Sequence, residues 1–451
     1  MFVATMLLAP MPFASNRPWS WSLLSALIGI YLILEIITSR HEWADQKLFL
    51  KRMLPGLMLW ICVALWAFFQ TVPWVPGEWT HPLWTDAEEI LDSNVVKTIS
   101  VDPQATLEAL TRFMAYGAVF FISASYCRKF DNAEIVLKSF VFSSIIYAAY
   151  GLIIFFSGTE MILWFEKWSY RGVLTSTFVN RNTYATFAGM GVIASTAYGF
   201  HIISSNLRSH YNTKELIRNF IETAYRKAWA PFLGIVIIAT ALLLTQSRGG
   251  FLSTSVAFLV LLGGLYYIKA IPKLFVKVLF GVTLIGAIFS VSMSGDITFE
   301  RISKTSFETS VRDEVFQRTS DAIFANPVLG TGYGTYEKSF MAYKIPVISS
   351  LTWDKAHNSY LELAMELGIP ATLAVIAAFL WAMVVCISGI INRRRRRVFS
   401  VIGVAVTVLV SAHALVDFSL QIPGFTVTYA LIMGMAWGQS WTSEQSRRKN
   451  K

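Results

Sequence analysis

The sequence predicts an all-α fold: a polytopic integral membrane bundle of about twelve transmembrane helices, with a helical loop outside the bilayer. Three observations carry that prediction. Of the 451 residues, 55% are hydrophobic and only 15% are charged, against about 25% charged residues in soluble domains. The apolar residues fall in runs of roughly 20, the length that crosses a hydrocarbon core as a helix. The mean hydropathy is +0.52, so the chain cannot cover its own surface with polar groups. A soluble enzyme is excluded.

The runs fall at 21–38, 53–72, 106–127, 134–157, 182–203, 231–247, 250–268, 274–293, 370–391, 398–417 and 422–440. Their direction follows from the distribution of Lys and Arg, which accumulate on the cytoplasmic side. Every second connection is basic. Arg40, Lys47, Lys51 and Arg52 lie in the first, Arg128 and Lys129 in the next, and Arg208 to Lys227 in the third. Lys269, Lys273 and Lys277, the run Arg393 to Arg397, and the tail with Arg447, Arg448, Lys449 and Lys451 continue the series. The alternate connections are not basic: 73–105 carries six acids against Lys97 alone, and 294–358 holds eight acids and seven bases. The arginine run beside a span reads as a topology anchor, not as a nucleic-acid site. Counting back from a cytoplasmic tail leaves residues 15–20 outside. Either the N-terminus is external or Phe2–Ala14 makes a short twelfth crossing, and twelve helices are expected. Phe2–Ala14 lacks a charged segment before it, so a cleavable signal is not expected. The chain divides into an N-terminal bundle (1–293), an outer loop (294–369) and C-terminal helices with a basic tail (370–451).

The three cysteines, Cys62, Cys127 and Cys386, sit in apolar runs without partners at metal-ligand spacing, so neither a disulfide framework nor a zinc site is indicated.

Ionisable groups at membrane depth are costly and call for a partner, a cavity or a function. Four stand out. Arg181 lies in Asn180-Arg-Asn182 at the outer start of the fifth run, and Arg248 in Ser247-Arg-Gly-Gly250 between the sixth and seventh. His357 lies in Ala356-His-Asn-Ser359, before a helical stretch ending at Gly368, and Asp417 ends the tenth run one helical turn beyond His413. The charge bias, assigned without them, places all four at the outer boundary. Each also has a plain structural role open to it. Arginines at span ends reach toward phospholipid head groups, a histidine at a helix start can be a surface residue, and Asp417 can simply pair with an arginine. His413, one turn deeper, reads as a hydrogen-bonded core residue. In the outer loop, a helix is expected over about 311–325, followed by Asn326-Pro-Val-Leu-Gly-Thr-Gly-Tyr-Gly334. Such glycines cradle phosphate only between a strand and a helix, so here they read as a tight turn that folds the loop back over the bundle.

The ordered set resembles the O-antigen ligase and O-antigen polymerase superfamily of bacterial envelope enzymes over about 170–420. It comprises Asn180-Arg-Asn182, Ser247-Arg-Gly249, Arg312, Asn326-Pro327, Gly330, Gly332 and Gly334, His357-Asn358, Gly368 and Asp417. The resemblance implies a GT-C-like membrane glycosyltransferase with its site facing the periplasm from the inner membrane. The donor it implies is an undecaprenyl-diphosphate-linked glycan, and the acceptor, for a ligase, is a sugar hydroxyl of lipid A–core oligosaccharide. It further implies that Arg181, Arg248 and Arg312 bind the diphosphate and that His357 activates the acceptor, with Asp417 beside it and Asn182, Asn358, Gly330, Gly332 and Gly334 in support. Protein O-oligosaccharyltransferases look similar but usually add a long C-terminal region, and only a short basic tail follows residue 440 here. O-antigen polymerase shares the donor chemistry and remains open, as does, more distantly, a transporter of an anionic lipid. The lipid bilayer and the two lipid-linked glycans are the expected partners, nucleic acid is not, and a monomer or weak oligomer is expected.

The chemistry suits these residues. A diphosphate-linked anomeric carbon is already activated, so the protein must stabilise the leaving charge and sharpen a hydroxyl. Arginine is permanently charged and binds phosphate oxygens in pairs. Histidine, with an ordinary pKa of about 6.5, is mostly neutral and can accept a proton. Attack opposite the leaving group predicts inversion. No Asp-x-Asp pair or His/Cys cluster sits in the outer segments, so no metal and no cofactor is expected. Asp417 can orient His357 or an arginine; the sequence leaves both.

Overall fold

In lipid each backbone N–H and C=O must be satisfied within its own segment, and for isolated apolar runs that means helix. The computed structural model describes residues 1–38, 43–206, 213–292, 299–345 and 353–441. Its helices are α1 (Phe2–Leu8), α2 (Pro18–Thr38), α3 (Trp43–Phe69), α4 (Leu83–Leu91), α5 (Pro103–Tyr126) and α6 (Phe130–Phe156). They continue with α7 (Arg181–Asn206), α8 (Thr213–Lys227), α9 (Trp229–Leu244), α10 (Arg248–Tyr267) and α11 (Lys273–Ser292). The loop carries α12 (Phe299–Ala325), α13 (Tyr336–Phe340) and α14 (Ser359–Leu367), and α15 (Ile369–Asn392), α16 (Val398–His413) and α17 (Pro423–Gly438) complete the bundle. A two-residue hairpin, β1 (Met161–Ile162) against β2 (Phe165–Glu166), interrupts the otherwise helical chain.

Each of the eleven apolar runs meets a helix. Among the described residues, seven helices are long and apolar enough to cross a membrane, or eight if α8 and α9, bent by 81°, form one span. The chain is a multi-pass membrane protein. Five of the twelve expected crossings, on α1, α9, α11, α16 and α17, are not among these seven, and helix length accounts for all of them but α11. Helix α1 has seven residues, about 10 Å of rise, a third of the hydrocarbon thickness. Instead of crossing, it lies against α6 and α17, where the Tyr147 hydroxyl donates to the Leu7 carbonyl at 2.9 Å. Helices α9, α16 and α17 have sixteen residues each, about 24 Å long. The expected runs 231–247 and 398–417 end as helix at Leu244 and His413, leaving 245–247 and 414–418 as turns. The connection 204–230 contains α8, and α12 begins well before 311.

Two ends of the bundle are distinct. At one, Arg52 lies over Trp441 (4.6 Å), Arg128 over Phe49 (5.2 Å) and Arg396 over Phe130 (3.6 Å). Gln439 there donates to the Cys127 carbonyl at 2.6 Å. This is the basic end; Arg40, Arg208 and the tail residues Arg447, Arg448, Lys449 and Lys451 lie outside the described residues. The opposite end carries 70–102, 157–180, the loop and 414–422. Between the two ends, α7 and α17 fill the centre, and all sixteen residues of α17 are buried. Ile33, Phe142, Val236 and Ile285 are exposed on the flanks, where lipid receives apolar side chains without penalty.

Helix α17 packs on α5 through small residues. A Cβ on Gly434 would stand 2.6 Å from the Phe120 carbonyl oxygen, and one on Gly438 2.5 Å from that of Ala124. Membrane helices use such residues to bring backbones close. Gly434→Leu is therefore expected to force α17 off α5 and cost about 1–3 kcal/mol, the usual range for overpacking. Thermal unfolding in detergent checks it, and a midpoint equal to wild type would show that the two helices are not packed this closely.

Candidate functional site

Three sequence motifs turn out to be helix starts. Asn180 accepts from the amides of Asn182 (2.7 Å) and Thr183 (3.4 Å) at the head of α7. Ser247 accepts from Gly250 at the head of α10 (3.2 Å), and Asn358 from Tyr360 (3.0 Å) and Leu361 (3.2 Å) at the head of α14. Side chains of this kind satisfy the free N–H groups of a first turn. The consequence is positional: Arg181 and Arg248 are the first residues of their helices, and His357 stands immediately before a cap. His357 takes φ +53°, a conformation that histidine tolerates better than most residues.

These three starts meet around Asp417, which is fully buried. Its carboxylate accepts from Ser419 Oγ (2.9 Å) and Asn182 Nδ2 (3.3 Å). Asn182 Oδ1 accepts in turn from Ser247 Oγ at 2.8 Å, joining α7 to the head of α10. Ser359 on α14 donates through its hydroxyl to the Asp417 carbonyl (3.0 Å) and through its amide to that of Ala414 (2.8 Å). Two imidazoles flank the carboxylate, His357 Nδ1 and His413 Nδ1, each at 3.8 Å. Thus the cation-capable neighbours of Asp417 are histidines, and among the described residues no arginine pairs with it. The 3.8 Å spacing is too long for a hydrogen bond, and the buried Nδ1 of His357 has no hydrogen-bond partner. His413 is a core residue, as expected, with Nδ1 2.9 Å from Thr186 Oγ1. The ring of His357 is held edge-on by Phe418 (4.9 Å) and Trp353 (6.0 Å).

The arginines lie at the same end of the bundle. Gly249, next to Arg248, lies against Val416 and His413. Arg248 is exposed and has no protein counter-ion among the described residues. Arg181 is half-buried and lies over the ring of Tyr170 at 5.7 Å, its Nε without a hydrogen-bond partner. Arg312, near the middle of α12, is exposed, and its charge acts on the Tyr170 hydroxyl together with those of Asp417, Arg181 and Asp354. Arg181, Arg248, Arg312, His357, Asn182, Asn358 and Asp417 therefore gather at one end of the bundle.

Gly330, Gly332 and Gly334 do not join them. All three have positive φ, and a Cβ would stand 2.3 Å from the Glu366 carbonyl, 2.3 Å from Ser100 Oγ and 2.5 Å from Ala109 Cβ respectively. They form the tight turn by which the loop folds onto the bundle. Its platform is the acidic segment 73–105 with the end of α3. Gln70 donates to the carbonyls of Leu329 (2.8 Å) and Glu366 (2.9 Å) and accepts from the Tyr333 amide (3.1 Å). Val101 donates to Thr331 at 3.0 Å, and Lys338 pairs with Asp102.

Sequence reasoning missed Tyr170, Glu362 and Glu366. The two acids are one turn apart on α14, both buried, and a pair of acids at i and i+4 in an apolar stretch was the available signal. Glu362 accepts from the Ala356 amide at 2.8 Å and meets Lys355 at 3.4 Å, fixing the residues next to His357. Glu366 accepts from the Tyr336 amide at 2.9 Å.

The structure is thus a helical multi-pass membrane protein with a buried carboxylate flanked by two histidines at one end of the bundle, where Arg181, Arg248 and Arg312 have no carboxylate partner among the described residues. Residues 233–376, about a third of the chain, match the family model described as O-antigen ligase, and this match supports assignment of the chain to the O-antigen ligase family. Members of that family are glycosyltransferase-like ligases and polymerases, which supports an enzyme. No curated protein matches the chain. The matched region includes Arg248, Arg312, His357 and Asn358, whereas Arg181, Asn182 and Asp417 lie outside it and reach the site through three-dimensional contacts.

Burial first, and then the charge of Glu362, pushes Glu366 up to about 8, with Lys355 opposing. The unfolded chain would titrate near 4.3, so between these values the folded loop holds a proton that the unfolded loop lacks, and its stability falls as pH rises. Resistance of the loop to protease is expected to decline from pH ~5 to ~8 and to level off above that. Glu366→Gln, which keeps an acceptor for Tyr336, should flatten that decline; an equally steep one in the variant would assign the effect to another group.

Proposed function

We propose that the protein is an O-antigen ligase. It transfers O-antigen polysaccharide from undecaprenyl diphosphate to a sugar hydroxyl of lipid A–core oligosaccharide, at the periplasmic face of the inner membrane in a GT-C-like bundle. The observation that carries this reading is the placement of three arginines, without carboxylate partners among the described residues, at the end of the bundle that holds the His357–Asp417 pair. An acid nearby would neutralise a cation that only had to be solvated; these are left for an anion.

In this reading Arg181, Arg248 and Arg312 receive the diphosphate and stabilise the charge that grows on it as the glycosidic bond breaks. Because they sit at helix heads and on a docked loop, they need little reorganisation when that charge develops. Asp417 beside Nδ1 favours the imidazole tautomer protonated there, which leaves Nε2 of His357 to take the proton from the acceptor hydroxyl. The spacing of 3.8 Å closes to a hydrogen bond when substrate orders the site, as is common for catalytic pairs. Attack opposite the diphosphate gives inversion. The guanidinium groups supply the charge that a divalent cation would otherwise supply, so the reaction proceeds without metal.

In a reconstituted transfer assay, His357→Ala and Arg248→Ala are expected to lower turnover by about 10²–10³ while the variants remain folded in the membrane. Near-normal transfer by either would remove that residue from the mechanism. In the same assay, EDTA is expected to leave the rate unchanged, whereas loss restored by Mg²⁺ would refute metal independence. The product identifies the alternatives: repeat units joined to another donor-linked glycan mark a polymerase, glycosylated protein an O-oligosaccharyltransferase, and relocated but unmodified lipid a transporter.

A further inference from the structure

Tyr170 belongs to the segment 157–180, which the reading above leaves without a function. It is half-buried and held at φ +52°, a conformation that a large residue adopts only where its surroundings impose it. Its ring carries the guanidinium of Arg181 at 5.7 Å. Its hydroxyl has no hydrogen-bond partner among the described residues, yet the charges of Arg181, Arg312, Asp354 and Asp417 all act on it. A tyrosine that only packed would not need this place, and one that only supported Arg181 would not need the hydroxyl.

We propose that Tyr170 is a donor-binding residue, its ring setting the guanidinium of Arg181 and its hydroxyl donating a hydrogen bond to a non-bridging oxygen of the same lipid-linked diphosphate. The proposal rests on the donor reading above. Arg181, with its guanidinium carbon over an aromatic ring, has its charge held in place without spending an N–H on a carboxylate among the described residues. The neutral phenol adds a donor without adding a further positive charge to those of Arg181 and Arg312.

The test is binding of undecaprenyl diphosphate, and separately of undecaprenyl monophosphate, to the full-length protein in nanodiscs. Wild type, Tyr170→Phe and Tyr170→Leu are compared, with thermal unfolding confirming that each is folded. Loss of one hydrogen bond to a charged group is worth on the order of tenfold. Tyr170→Phe is expected to weaken diphosphate binding by about tenfold and to raise the donor KM with little change in kcat. Tyr170→Leu is expected to weaken it further, and the monophosphate is expected to be affected less. Wild-type affinity in Tyr170→Phe overturns the proposal. So does weakening in Tyr170→Leu alone, because that reduces Tyr170 to a support for Arg181. If wild type itself shows no preference for the diphosphate, the donor reading fails, and the proposal for Tyr170 falls with it; the wild-type arm separates the two failures.

Discussion

A buried carboxylate at the junction of four chain segments is the constraint around which this end of the bundle is built. Asp417 cannot remain buried without partners, because an isolated charge in a low-dielectric interior is strongly disfavoured. The partners it recruits are structural addresses: Asn182 on α7, Ser419 before α17, and the imidazoles of His413 and His357. Its own carbonyl and that of Ala414 anchor Ser359, which starts α14. Satisfying one charge therefore brings the heads of α7 and α14 together, and Asn182 brings in α10 through Ser247. The arrangement requires that α16 stop at His413 instead of completing the apolar run, since a helix continued to Asp417 would carry its carboxylate away from Ser419.

Two of the three capped helix starts, those of α7 and α10, carry an electrostatic conflict that the fold does not need. A helix N-terminus bears a partial positive charge and ordinarily attracts Asp or Glu, an effect of about 0.3–1 kcal/mol. That rule holds at α4, α6 and α14, whose first turns contain Asp86, Asp131 and Glu362. It is reversed at α7 and α10, which have no acid in the first turn and an arginine as first residue. Like charges are thus concentrated where they oppose the helix. Binding of an anion removes the opposition, because N–H groups and guanidinium then face the same ligand. The same reversal occurs at α11, which begins with Lys273 and has no acid in its first turn; what distinguishes α7 and α10 is that their heads are joined to each other and to Asp417 through Asn182 and Ser247.

How much of this was legible in the sequence depends on the range of the interactions. The spans follow from local composition, and all eleven apolar runs became helices. Arg181, Arg248, His357 and Asp417 were visible because a charge in an apolar stretch is conspicuous by itself, and the charge bias put them at one boundary. Helix ends were not legible: Leu244 and His413 end their helices where tertiary hydrogen bonds outcompete the apolar pattern. Phe2–Ala14 has the composition of a span but turns back after seven helical residues. Gln70 and Tyr170 escaped because the groups they meet are distant in sequence, whereas Glu362 and Glu366 left a local signal, two acids one turn apart in an apolar stretch, that went unread. Gln70, for example, bonds to Leu329, Tyr333 and Glu366, and nothing local in a glutamine at a helix end announces such contacts.

The site is shared between two bodies of the fold, and that division explains why so many buried polar groups lie away from it. Arg181 and Arg248 come from bundle helices, whereas His357 and Arg312 come from the loop. In the proposed reaction, base and cations act on one substrate only if the loop is seated in a single register, and the ligand itself cannot be relied on to set it. The seat is made elsewhere, by Gln70 beneath the loop, by the glycine turn at Gly330 and Gly332 that no larger residue could enter, and by Glu362, which holds the amide of Ala356 beside His357. A displacement of about 1 Å at a reacting group can cost on the order of 10²-fold in rate. Residues that never approach a substrate therefore govern the chemistry as strictly as those that do, and the polar framework under the loop is part of the site in every respect except contact.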